Sequence, residues 1–295
     1  MPAGLSERVD FLRAKIASLE AMDGESTSGR RWNAGIRRMP RVGLGDAQEL
    51  CSLDRALQGG LEPGALHEIV AARPAARTAA SGFAFALAAR FAGASAKTRA
   101  AIVWIVEAKA ARETGALYGP GLALLGLDPS RLVLVETRDA QESLWAMEEA
   151  LKCRSSAAVI GEIWGLAKIY DLAASRRLLL AARKSATPGL LVAAGLAGEA
   201  EHLSSGAGTR FEIGTSASPH LASAGGRQPM PGKTVWTVRL VKARAGPQGF
   251  GFDRDKVHPL TWDPEKACFR DALSFAVPSI SSDRPARAAG SRQRA

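Results

Sequence analysis

The residues with the most chemically suggestive spacing lie between Ala71 and Thr78. They read Ala71-Ala72-Arg73-Pro74-Ala75-Ala76-Arg77-Thr78 and follow the phosphate-binding pattern G-x-x-x-x-G-K-[ST] position by position, with both glycines replaced by alanine and the lysine by arginine. Thr78 alone keeps its residue type. In an intact loop of this kind, glycines at positive φ bring backbone N–H groups against phosphates and a lysine ammonium fits between phosphate oxygens. Alanine carries a Cβ penalty at such angles, and a planar guanidinium does not replace a compact ammonium. Ala71, Ala76, Arg77 and Thr78 therefore mark a nucleotide site whose chemistry has gone. Taken alone, the eight residues read equally well as an ordinary strand–loop–helix turn that happens to carry a threonine.

The flanking elements are those that position such a loop. Ala65 to Val70 is a short apolar run, and Phe83, Leu87 and Phe91 recur at helical spacing in an Ala-rich segment from Ala79, so the loop joins a buried strand to a helix N-terminus. Beyond it the chain alternates: expected strands at Leu66–Val70, Ile102–Val106, Leu132–Glu136, Ala157–Gly161 and Leu190–Ala194 are separated by expected helices at 79–92, 120–126, 140–152 and 170–186. That alternation predicts an α/β fold, a mostly parallel central sheet flanked by helices. Thr209–Ile213 and 234–242 read as later strands, the second antiparallel, with a long loop from Gly214 to Lys233 between them. Trp145 and Trp164 fall inside this region and are expected to be buried.

Upstream of the loop, Cys51-SLDRALQGGLEPGALHEIV resembles the segment that leads into the phosphate loop of RecA-type recombinases. More closely, LDRALQGGLEPGALHEI (53–69), LYGPGLALLGLDPSRLVLVE (117–136) and LRAKIASLE (12–20) together resemble the ImuA family of bacterial damage-induced mutagenesis, RecA-like relatives akin to SulA-like proteins with degraded nucleotide motifs. The likeness covers roughly residues 5 to 245, and the middle motif is its most specific part. It implies a RecA-like core and an accessory role in SOS-induced translesion synthesis. The implied partners are an ImuB-type Y-family protein and an error-prone replicative-type DNA polymerase, with RecA, DNA and a second copy of the chain as further partners. In a RecA-type ATPase the second strand ends in a water-polarising glutamate, and a metal-holding aspartate follows the fourth. Ungapped comparison puts these positions on Ala108 and Gly161, with Glu107 and Glu162 displaced by one, and the displacement predicts that Glu107 points to the opposite face. No catalytic residue, cofactor or metal ligand is therefore expected. Two other readings stay open, an active ATP-dependent recombinase-like enzyme and a SulA-like inhibitor of cell division.

The 295 residues carry a net charge of +10, which favours polyanions, chiefly nucleic acid, or else reflects only a solvated basic surface. No apolar run reaches membrane-spanning length and no signal peptide is evident, so the expected location is the cytoplasm. Cys51, Cys153 and Cys268 are isolated and predict neither a disulfide framework nor a zinc site. The expected organisation is an amphipathic helix at 1–22, a basic flexible linker at 23–45, the RecA-like core at 46–245, an extension at 246–276 and a disordered Arg-rich tail at 277–295. On the helix, Val9, Leu12, Ile16 and Leu19 form an apolar stripe, which packs on its own domain or docks on a partner. Arg30, Arg31, Arg37 and Arg38 in the linker and Arg292 and Arg294 in the tail are the candidate DNA contacts.

Overall fold

The computed structural model describes residues 40–46, 49–94, 101–218, 220–221, 230–231, 233–244 and 252–272, all within one compact unit spanning 40–295. The stripe Val9, Leu12, Ile16 and Leu19, the linker arginines 30, 31, 37 and 38, and Arg292 and Arg294 lie outside the described residues.

Six parallel strands form the sheet from one edge through its middle: β1 (Leu66–Ala71), β2 (Ala101–Glu107), β3 (Leu132–Thr137), β4 (Ser156–Ile163), β5 (Gly189–Ala193) and β6 (Thr209–Ser216). A two-strand pair, β7 (His220–Leu221) and β8 (Met230–Pro231), occupies part of the expected 214–233 loop. The chain then returns antiparallel through β9 (Val235–Ala243), β10 (Val257–Asp263) and β11 (Cys268–Asp271), giving the order β11-β10-β9-β6-β1-β5-β4-β2-β3. β10 and β11 thus extend the same sheet as the expected core. β1, β4 and β5 are buried along their whole length, as strands are in a sheet covered on both faces, and β1 and β4 carry the buried polar residues His67, Glu68 and Glu162 among their apolar ones.

The helices are α1 (Ser52–Ala56), α2 (Arg77–Ala94), α3 (Ala108–Thr114), α4 (Gly119–Leu124), α5 (Ala140–Lys152) and α6 (Leu172–Ser185). The stripe Phe83, Leu87 and Phe91 accounts for one side of α2, but Phe85, Ala84, Ala86 and Ala88 on its other sides are buried as well. A helix apolar all round belongs inside a fold. Phe83 meets Phe211, Trp236 and Phe269, with ring centroids 5.8, 6.0 and 5.2 Å away. On another side Phe85 packs edge-on against Trp104 at 4.9 Å. The antiparallel strands therefore wrap the helix that follows the loop.

The opposite face of the sheet is covered by α5 and α6, capped by Asp139 and Asp171, whose carboxylates accept from Glu142 N at 2.9 Å and Ala174 N at 2.7 Å. The expected burial of Trp145 is not found: it is 60% exposed, because α5 turns Leu144, Met147 and Leu151 inward and puts Trp145 on the opposite side. Trp164 is half-buried. No helix among the described residues is long and apolar enough to cross a membrane.

Candidate functional site

β1 delivers the 71–78 loop to the middle of the sheet, between β5 and β6. The loop is closed on itself: Pro74–Ala76 forms a 3-10 turn, Ala76 N donates to the Arg73 carbonyl at 2.9 Å, and the Ala76 side chain is fully buried. Both ends are stitched to neighbours, Ala72 N to the Ile213 carbonyl and Gly198 N to the Ala71 carbonyl, each at 2.8 Å. No residue from Ala71 to Thr78 has positive φ, so the alanines escape the Cβ penalty, and the N–H groups of Ala72 and Ala76 are bonded within the protein. Arg77, at the lysine position, turns aside. Its Nε donates to the Ala194 carbonyl at 2.9 Å, and its guanidinium lies 4.4 Å from the Trp164 ring centroid. Gly195 is required beside it, because a Cβ there would collide with the Trp164 carbonyl. Thr78 is exposed at the start of α2.

The two displaced carboxylates behave differently. Ile102, Trp104 and Val106 of β2 join the core around α2 and Ile105 joins the core around α5 and α6, so alternation puts Glu107 on the α5 side, away from the loop helix. There it accepts from Trp164 N at 2.7 Å and Gly165 N at 2.8 Å. On β4 the facing is reversed. Gly161 faces α5, where an added Cβ would lie 2.7 Å from Met147 Sδ, and Glu162 is the residue that faces α2. Its Oε1 accepts from Ser81 Oγ, one turn into that helix, at 3.0 Å. A carboxylate therefore does stand on the loop's side of β4, buried and hydrogen-bonded.

A buried polar network lies under α6. Glu68 of β1 pairs with Arg210 of β6 at 2.7 Å and also accepts the Tyr170 hydroxyl, and Arg210 donates on to the Ala200 carbonyl and Ser205 Oγ at 2.9 and 3.0 Å. Burial, and next the charge of Glu68, push the Tyr170 hydroxyl well above the ordinary phenol range. On β1's other face, His67 accepts from Thr209 Oγ1 at 2.8 Å and donates to the Glu62 carbonyl at 3.0 Å, and burial pulls its ring down to about 4. Sequence reasoning singled out neither network: Glu68 and Arg210 are 142 residues apart and meet only because β1 and β6 are paired. Among the described residues no cluster of His, Cys, Asp and Glu could hold a metal ion.

No family model matches the sequence. Protein ImuA of Caulobacter vibrioides, from two strains, is 32% identical over 197 residues, which cover 65% of this chain and 75% of the relative. The chain belongs to the ImuA family. In this ImuA-family chain the middle motif 117–136 folds as α4 followed by β3, the edge strand of the sheet, where Val133 and Leu134 are each 47% exposed. The motif that carries the resemblance most specifically is thus partly a surface feature.

Proposed function

We propose that the chain is a non-catalytic, RecA-like accessory protein of SOS-induced, error-prone translesion DNA synthesis in the cytoplasm. It works by binding an ImuB-type Y-family protein and an error-prone replicative-type polymerase, with RecA and DNA as further partners. The observation that carries the non-catalytic part is the loop: Arg73 to Ala76 is closed by its own hydrogen bond, and the Arg77 guanidinium is spent on Ala194 and Trp164 rather than facing a phosphate position. Family membership supports the cellular role.

Glu162 favours a second reading, an ATP-dependent recombinase-like enzyme, because it supplies a carboxylate on the loop's side of the sheet. Thr78→Ala and Glu162→Gln separate the two in a host lacking its own copy of the gene. The accessory reading expects Thr78→Ala, made at an exposed side chain, to restore damage-induced mutation frequency to the wild-type level and to co-purify with the ImuB-type protein. Loss of mutagenesis by stably folded Thr78→Ala and Glu162→Gln, with partner binding intact, would favour the enzyme.

A further inference from the structure

Cations gather where α6 meets the loop that leads into β6 and the end of β9. Arg176 and Arg183 are both exposed and seven residues apart, so they share one side of the helix about 10 Å apart along its axis. Arg176 is pressed against the Ser204–Gly206 loop: an added Cβ at Gly206 would lie 3.1 Å from its Cγ, and Gly206 N donates to Ser175 Oγ at 2.8 Å. From the other side of that loop, Lys242 Nζ donates to the Ser205 carbonyl and Oγ at 2.8 and 3.1 Å, and Arg244 donates to the same carbonyl at 3.1 Å.

The cluster holds more positive charge than it neutralises. Its buried carboxylate, Glu68, is already engaged by Arg210 and Tyr170. Among the described residues, Arg176, Arg183, Lys242 and Arg244 form no ion pair, whereas the neighbouring Arg177 and Arg239 are paired with Glu148 and with Glu201 and Glu212. Burial draws Lys242 down to about 8; Glu68 opposes this, and Arg210 and Arg244 add to it. Among the described residues, the exposed large apolar side chains on this side of α6 are Leu180, between the two arginines, and Leu172 at the helix start, with no aromatic anchor. Recognition there has to run on charge. A span of about 10 Å equals about three 3.4 Å steps along the axis of a duplex, so the face can follow a phosphate backbone.

We propose that the face built by Arg176 and Arg183 of α6 and by Lys242 and Arg244 at the end of β9 binds the phosphate backbone of nucleic acid without reading its sequence. This deepens the accessory reading by giving it a route to DNA through the folded core. It also fails separately: loss of oligonucleotide binding with the ImuB-type partner still captured would leave that reading standing.

The test is fluorescence anisotropy of a labelled single-stranded oligonucleotide with the full-length protein and with Arg176→Gln/Arg183→Gln/Arg244→Gln. Lys242 is left in place because it donates to both the carbonyl and Oγ of Ser205, where Arg244 donates only to the carbonyl. The three arginines, at about 0.7 each, contribute about −2 to the slope of log K against log salt, or about 18-fold of the affinity lost between about 50 and 200 mM salt. The triple variant should bind more weakly at low salt, with the slope shallower by about 2. If it is poorly folded, Arg183→Gln alone, at a side chain with no hydrogen bond to lose, should make the slope shallower by about 0.7. Wild-type affinity and slope in the variants, or no binding by the native protein at low salt, would overturn the proposal. So would variants that lose affinity for polyglutamate but keep it for the oligonucleotide, since that marks an acidic protein as the partner.

Discussion

Replacing Arg77 by lysine restores the residue that an intact phosphate loop would carry, and it should weaken the protein rather than repair it. The guanidinium donates from Nε to the Ala194 carbonyl at 2.9 Å while stacking 4.4 Å over the Trp164 ring. A hydrogen bond from a charged donor contributes about 1.5–3 kcal/mol when buried, and a cation over an aromatic face about 0.5–1 kcal/mol at an exposed site. Arg77 is only half-buried, so solvent screening brings the sum to the lower end. A lysine keeps part of the stacking but cannot place a donor at Nε, and the net loss is about 1–2 kcal/mol. For a unit of this size that is a fall of roughly 3–6 °C in Tm. Urea titration of the native protein, Arg77→Lys, Trp164→Ala and the double variant would measure both the loss and the coupling between the two side chains. Unchanged or raised stability in Arg77→Lys, accompanied by a saturable magnesium–ATP shift, would refute the reasoning, because the arginine would then be a blocked phosphate ligand and not a clamp.

Three further outcomes follow from the same geometry. Glu107→Ala leaves the Trp164 and Gly165 N–H groups without their acceptor and should cost about 2–3 kcal/mol in urea titrations. His67 is held at about 4 against the ordinary histidine value of 6.5, so as pH falls the unfolded chain takes up the proton first; the stability is complete above about 6.5 and declines towards pH 4 by up to about 3 kcal/mol. Unfolding at several pH values should give a shallower dependence in His67→Gln than in the native protein, and parallel curves would contradict the assignment. Ala186 ends α6 at φ 63°, a left-handed angle that costs a residue with a Cβ about 1–2 kcal/mol, so Ala186→Gly should raise stability by about 1 kcal/mol in the same assay.

The parallel core was legible because strands buried on both faces are short, largely apolar runs set between helical segments, and β1, β2, β4 and β5 carry that mark even though Glu68 and Glu162 interrupt two of them. What lay beyond local pattern was pairing over distance. The stripe on α2 pointed to one apolar side, but the burial of its other sides depends on β9 to β11, and Pro259 interrupts the alternation that would have marked β10 as a strand. Spacing identified the loop, yet the partners of Arg77 are 87 and 117 residues further along, so spacing could say that a lysine was missing and not what the arginine does. The two glutamates illustrate the limit of counting: the same one-residue offset leaves Glu107 on the α5 side and Glu162 on the α2 side, because only the strand's observed facing decides parity. The basic face was hidden for a similar reason, since Arg176 and Arg244 become neighbours through the 203–206 loop.

The central claim is that the protein does its work without nucleotide, and the most direct measurement is a calorimetric titration of the full-length native protein with magnesium–ATP, with and without single-stranded DNA, alongside phosphate release. The account predicts no saturable heat and no release above the buffer rate at millimolar nucleotide. A ligand present at 100 times its Kd would stabilise the fold by about 2.7 kcal/mol. Saturable binding that gives a shift of that size, with phosphate release abolished by Thr78→Ala, would contradict the claim and make the 71–78 loop a working nucleotide site.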